Sequence, residues 1–324
     1  MRSRRRVRAI VFAGTGGREV MRLEQRPDPV PGSEELLVAA RFAGVNTADL
    51  AQRAGAYPAP PGAPRDVPGL EVAGTVVARG AAVRDFAEGD RVFGLVGGGG
   101  LADRVLVHER HVASVPDRLS DEEAAAVPEA FITAHDAIFT QARVGLGEVL
   151  LVNGANGGVG TAAVQIGVAA GARVFACARS HHQDLTELGA QAVNSGDALD
   201  QVGTAGGADV VLELVGAPNL DGNLEVLKSK GRIAIVGTGA GTDTDLSLRK
   251  LMAKRARLFG TMLRARPLEE KALAVQAFAR EVVPLLADGR VRAIVDRVFP
   301  AEEAAEAFDY MAGSGKFGKV LLAF

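Results

Sequence analysis

The chain has 324 residues, long enough for two domains with substantial cores. Its 37 basic and 39 acidic residues leave a net charge of −2, which disfavours nucleic acid or an anionic membrane surface as the main partner. The apolar share of 48% argues against extensive disorder, no apolar run is long enough to span a bilayer, and the single cysteine, Cys177, excludes an intrachain disulfide and a cysteine-rich zinc cluster. The opening, MRSRRRVRAI, is basic but lacks the apolar stretch of a signal peptide, so it reads as a solvated, frayed end of a cytoplasmic protein.

Residues 7 to about 129 read as short strands separated by turns. Val7–Phe12, Leu36–Phe42, Val72–Ala78 and Arg104–His108 are rich in β-branched or alternating apolar residues. Pro27, Pro29, Pro31 and Gly32 break the early part, and Tyr57–Gly69 forms a long proline and glycine loop. Asn46–Gln52 fits a short helix, and Gly97–Gly100 reads as a mobile loop. Repeated short strands with this punctuation predict a partly open barrel. Ser120 and Glu123 have capping-box spacing, which predicts a helix start, and Glu129–Ala142 reads as a second helix after Pro128.

From Gly147 the pattern becomes strand, helix, strand, helix, which marks a parallel α/β sheet. Its strands fall at 149–152, 173–177, 208–214, 232–236 and 257–261. A long helix over 268–287, a strand over 295–299, a helix over 301–311 and a strand over 319–324 follow. This closing section has too few elements to stand alone and is expected to return to the first domain.

The chemistry concentrates in GEVLLVNGANGGVGTAAVQ, residues 147–165. An apolar run, Val149–Val152, leads through Gly154, Ala155, Asn156, Gly157, Gly158, Val159 and Gly160 into a helix expected from Thr161 to Ala170. Strand, tight glycine turn and helix form the phosphate-binding start of a βαβ unit, where the backbone approaches a pyrophosphate and the helix N-terminus supplies free N–H groups. Ala155 takes the first glycine position of GxGxxG, and Gly157 and Gly160 take the others. In an NAD site a carboxylate beyond the second strand holds the ribose hydroxyls. Here the chain reads Arg179, Ser180, His181, His182, with no acid until Asp184. Arg179 can pair with a 2′-phosphate and Ser180 can hydrogen-bond it, which favours NADP(H) over NAD(H).

These motifs carry a family resemblance over nearly the whole chain. GVNTADLAQRAGAYPAPPGAP at 44–64, PGLEVAGTV at 68–76, AAVPEAFITA at 125–134, the glycine segment and GKVLLAF at 318–324 occur in the order found in zinc-independent quinone oxidoreductases of the medium-chain dehydrogenase/reductase superfamily. The chain most resembles the tumour-suppressor-inducible, zeta-crystallin-like branch. That resemblance implies an α/β architecture with two domains. Residues 1–129 and 267–324 would form a GroES-like, partly open β-barrel substrate domain. Residues 130–266 would form a Rossmann doubly wound parallel sheet binding NADPH, with the nicotinamide in the cleft between them. It also implies a homodimer joined through the edge strand near Arg257–Thr261.

Carried over by motif, Asn46 lies beside the nicotinamide as an orienting residue, and Tyr57 lines the substrate cleft as a hydrogen-bond donor to a carbonyl oxygen. Thr133 matches a hydroxyl on the nicotinamide side, and Gly157, Gly158 and Val159 match the pyrophosphate turn. Val215, Gly216 and Gly237 match ribose-side turns, and Lys319 a cofactor-proximal position. Asp49 reads as a structural hydrogen bonder. Zinc-containing relatives have Cys and His where this chain has Asn46 and Leu70, so no metal ligand set is expected. Asn156, Val168 and Ala51 depart from the family pattern, and Gln183 lies near the place of a phosphate-assisting lysine.

The implied activity is zinc-independent, NADPH-dependent hydride transfer to a quinone or an α,β-unsaturated carbonyl. The alternatives are reduction of an enoyl thioester on CoA or an acyl carrier protein, and a non-catalytic NADPH-binding role.

Overall fold

The computed structural model describes residues 6–324, so the first half of the basic opening lies outside the described residues. Chain contacts divide the protein into two compact units. One comprises the residues up to Ile132 together with Leu263–Phe324, and the other Thr133–Met262.

In the first unit, β1 (Arg6–Phe12) and β2 (Met21–Pro27) form an antiparallel pair. β3 (Glu35–Ala39), β5 (Glu71–Arg79), β6 (Arg91–Leu95), β7 (Arg104–His108) and β8 (Val112–Ser114) form a five-stranded antiparallel sheet in the order β7-β3-β5-β6-β8. β4 (Phe42–Val45), β15 (Val295–Pro300) and β16 (Lys319–Ala323) make a smaller sheet in which β16 runs antiparallel to β4 and parallel to β15. The strand expected over 36–42 is therefore two strands, because the chain changes sheets at Ala40–Arg41. Alternate residues of β1 (Val7, Ala9, Val11), β3 (Leu36, Val38) and β5 (Val72, Val76) face one core, which Val92 joins. A second core gathers Ile10, Val45, Phe308 and Val320.

α1 (Thr47–Arg53) follows β4, and the capping box at Ser120–Glu123 starts α2 (Asp121–Ala125) as its spacing predicts. α3 (Pro128–His135) begins at the proline, whose missing N–H is harmless in a first turn, and continues as a π turn over Asp136–Gln141.

The second unit is a parallel sheet of six strands with the order 3-2-1-4-5-6 of a doubly wound dinucleotide-binding fold. In chain order these are β9 (Val149–Asn153), β10 (Arg173–Ala178), β11 (Gln191–Asn194), β12 (Ala208–Glu213), β13 (Leu227–Ile235) and β14 (Arg257–Gly260). Spatially they lie β11-β10-β9-β12-β13-β14. β9 is buried along its whole length, as a central strand covered on both faces must be. The crossovers are α4 (Gly158–Ala169), α5 (His182–Glu187), α6 (Ala198–Thr204), α7 (Leu220–Val226) and α8 (Leu248–Lys254).

Back in the first unit, the expected helix over 268–287 is α9 (Leu268–Glu281) and α10 (Val283–Ala287), broken where Pro284 cannot donate an N–H. α11 (Ala304–Ala312) precedes β16. Among the described residues no helix is long and apolar enough to cross a membrane.

Candidate active site

In the second unit the chain winds outward in both directions from β9, so the topological switch point lies between the carboxyl ends of β9 and β12. The glycine turn leaves β9 there. Gly154 has a φ of +77°, which glycine adopts without strain, and the Gly154 and Ala155 N–H groups both bind the Cys177 carbonyl at the end of β10. A Cβ on Gly160 would lie 2.4 Å from the Gly154 carbonyl oxygen, so α4 packs on the turn only because residue 160 is glycine. A Cβ on Gly157 would meet nothing nearer than 3.7 Å, leaving that side open. Gly157 is the N-cap of a twelve-residue helix, and the N–H groups of Gly158, Val159 and Gly160 have no partner within its first turn. Close packing at Gly160, open backbone at Gly157 and free N–H groups are what a pyrophosphate requires, so these residues fit a dinucleotide.

The loop after β12 is set by a residue that the sequence reading missed. Glu213, 1% exposed, accepts the Val215 N–H at 2.7 Å and the Gly216 N–H at 2.8 Å on Oε1. The Asn219 amide reaches the same oxygen at 3.2 Å. Its Oε2 accepts the Asn153 and Asn223 amides, each at 2.7 Å. Glu213 thus locks Val215 and Gly216 to Asn153, the last residue before the glycine turn. Gly237, after β13, packs so closely that a Cβ would lie 2.2 Å from the Leu214 carbonyl oxygen. At the end of β10, Arg179 is exposed and Ser180 half-buried. Beyond Arg179, His181 pairs with Asp184 at 2.8 Å, and His182 meets the Ala178 carbonyl at 3.1 Å. Thr133 is buried in α3. Cys177 is buried, and burial pushes its thiol up from its ordinary value.

In the first unit Asn46 and Lys319 meet, 273 residues apart in sequence. The Lys319 Nζ donates to Asn46 Oδ1 and to Glu71 Oε1, both at 2.6 Å. The Asn46 amide donates to Glu71 Oε1 at 2.8 Å, and the Glu129 N–H donates to Glu71 Oε2 at 2.8 Å. Lys319 and Glu71 are 5% and 2% exposed, a buried charge pair with its remaining lone pairs bonded. A Cβ on Gly44 would lie 2.1 Å from Glu71 Oε1, so the glycine of the GVN segment makes room for this cluster. Glu71 was not singled out from sequence, although an acid inside the apolar run LEVAGTVV signals a buried cation nearby. Asn46 stands at the N-cap of α1, but its side chain serves the cluster.

Asp49 is fully buried and accepts the N–H groups of Asn46 and Gly69, each at 2.9 Å, which matches its expected structural role. Burial pushes its carboxyl up to about 6, against those two bonds and the charges of Lys319 and Arg264. Tyr57 stacks with the Arg264 guanidinium, 5.0 Å from the ring centroid. Burial first, then the charge of Glu129, push its hydroxyl up to about 12 against the opposing Arg264, so it remains a donor at neutral pH.

Two family profiles match the chain: "Alcohol dehydrogenase GroES-like domain" over residues 32–117 and "Zinc-binding dehydrogenase" over 158–280. The residues present do not fit a zinc ion: no three His, Cys, Asp or Glu side chains gather among the described residues, and Asn46 is committed to Glu71 and Lys319. The Mus musculus quinone oxidoreductase is 33% identical over 98% of this chain and 97% of its own. A mycobacterial protein solved in complex with NADPH superimposes with a TM-score of 0.87 at 27% identity, covering 98% of this chain and 100% of that one. The CurK enoyl reductase gives 0.84 at 28%, covering 98% of this chain and 99% of its own.

Proposed function

This chain belongs to the medium-chain dehydrogenase/reductase superfamily and is an oxidoreductase of its quinone oxidoreductase type, and on that premise we propose that it reduces a quinone or an α,β-unsaturated carbonyl with NADPH. The observation that carries this reading is the Asn46 cluster. Where a metal donor would be needed to ionise an alcohol, the chain holds a carboxamide saturated by Glu71 and Lys319. An acceptor that is already electron-poor needs no such activation.

Bound NADPH would supply the hydride. The protein's share is binding and orientation. The Gly154–Gly160 turn and the first turn of α4 hold the pyrophosphate, with Val215, Gly216 and Gly237 as the ribose-side backbone. Arg179 and Ser180 take the 2′-phosphate, and Thr133 serves the nicotinamide side. In the first unit, Asn46 and Lys319 form the cofactor-proximal face, and the Tyr57 hydroxyl donates a hydrogen bond to the acceptor oxygen. The domain roles follow, with the second unit binding the dinucleotide and the first unit the acceptor. In solution the protein is a homodimer joined through β14.

The test is nicotinamide oxidation followed by absorbance, with an ortho-quinone, a simple enone and crotonyl-CoA offered separately. Turnover of the quinone or enone with NADPH, and little with NADH, is the expected result. Arg179→Ala should raise the KM for NADPH by about ten- to a hundred-fold through loss of charge-assisted bonds, and leave that for NADH nearly unchanged. An unchanged preference in the variant would remove Arg179 from the site. Enoyl-thioester reduction is the second reading, favoured by the likeness to the CurK enoyl reductase, and turnover of crotonyl-CoA alone would select it.

A further inference from the structure

A cavity of about 850 Å³ opens in the first unit, within the range of small-molecule sites. The Pro60–Pro64 loop and the Gly97–Gly99 loop both line it. These loops are fitted to each other. A Cβ on Gly97 would lie 3.1 Å from Pro60 Cγ and 3.3 Å from Ala63 Cβ, and one on Gly98 would lie 2.9 Å from the Pro64 carbonyl oxygen. The expected loose glycine loop is instead a packed wall. Prolines cost little entropy to hold in place, so the apolar lining is organised before any ligand arrives.

Two buried cations line the same cavity. Arg264 and Lys271 are 5% and 6% exposed. Arg264 donates to the Gly97 carbonyl at 2.8 Å, to the Tyr57 carbonyl at 3.0 Å and to the Gln52 side-chain oxygen. Lys271 donates to the Arg264 carbonyl at 2.9 Å. Every one of these acceptors is neutral. The charges of Asp49 and Glu129 act on Arg264, and that of Glu129 on Lys271, but among the described residues neither cation has a carboxylate within ion-pair distance. Burial lowers the proton affinity of both. By contrast, Arg26 and Arg104, also in the lining, are paired with Asp66 and Asp28.

Buried cations are ordinarily matched by an anion, and leaving two without one sacrifices stability. Such a departure marks a site whose missing charge is brought by a ligand. After their bonds to protein, Lys271 keeps two N–H donors and Arg264 two more. We infer that this cavity binds a monocarboxylate carried on an apolar body, with the carboxylate at Arg264 and Lys271 and the body against Pro60, Pro61, Pro64 and Val67. This site stands apart from the choice of acceptor, and it is read by binding rather than turnover.

The test is calorimetric titration of the full chain with decanoate and, separately, decanol, which share an apolar body and differ in the head group. Decanoate should bind at least about ten-fold more tightly than decanol. Lys271→Met should abolish that preference, and Ala63→Phe, which fills the space between the loops, should weaken both ligands. Because Lys271→Met removes an uncompensated buried charge, its folding is checked by thermal unfolding. On the wild-type protein alone, decanoate should raise the Tm more than decanol does at the same concentration. Equal affinity for the two ligands, a preference that survives Lys271→Met, or binding indifferent to Ala63→Phe would overturn the inference.

Discussion

Lys319 and Glu71 show what a buried pair demands of its neighbours. Their charges are removed from water, and the geometry recovers that loss only because Asn46 and the Glu129 N–H bond the remaining lone pairs. Lys319→Met leaves Glu71 charged and buried, and should destabilise the protein by about 3–5 kcal/mol in urea unfolding. Adding Glu71→Gln should restore much of that loss, and a strictly additive double mutant would show that the pair is not coupled. Asp49 makes a different prediction. Its carboxyl titrates near 6 in the folded protein against 3.8 ordinarily, so the folded state holds the proton more tightly. Its contribution to stability is therefore largest below about pH 4, falls as pH rises to about 6, and is flat above. Asp49→Asn should abolish this slope while lowering stability throughout, since one amide oxygen replaces two acceptors. The comparison of unfolding free energies at about pH 4.5 and pH 7 reads it.

At the scale of elements, Glu213 joins the ends of β9 and β12. Its replacement by Gln sets an NH2 group against donors that need an acceptor. Glu213→Gln should cost about 1–3 kcal/mol of stability and weaken NADPH binding by about ten-fold in a fluorescence titration. Unchanged affinity with reduced stability would make Glu213 a purely structural residue. The alternation of the second unit was legible because its central strands β9, β10 and β12 are largely apolar runs and its helices begin at glycine or polar caps. β2, β6 and β11 were not. MRLEQRP is half exposed, RVFGL and QAVN are short, and all three exist because a partner strand supplies their hydrogen bonds. The same holds for the site. The glycine turn is a local signal, and Asn46 and Lys319 were reached through family resemblance. Glu71 shows in the sequence only as an acid inside an apolar run, and its partner Lys319, like Asn153 beside Glu213 and Gln52 beside Arg264, lies far away along the chain.

For the whole molecule, the proposed homodimer would join through the open side of β14. Thr261 donates its N–H inward to the Ile235 carbonyl, so by alternation the Gly260 N–H points to the free edge. A Cβ at Gly260 would have room, with its nearest neighbour at 3.9 Å. Gly260→Pro should therefore remove an outward donor and give a monomer by light scattering. The wild-type protein should scatter at twice its 33.5 kDa chain mass. A monomeric wild type would exclude the edge-joined dimer.

β16 pairs with β4, and that pairing also sets an order of events during synthesis. The ribosome finishes Asn46 long before Lys319, 273 residues later, which at 5–20 residues per second is roughly 14–55 s. Through that interval Val45 has no strand beside it on the β16 side, and Glu71 has no ammonium to meet. The second unit, whose residues all emerge before Lys319, can close around its own sheet in the meantime. Newborn chains should thus carry a completed nucleotide fold and an open first unit, the stage at which a chaperone would find them.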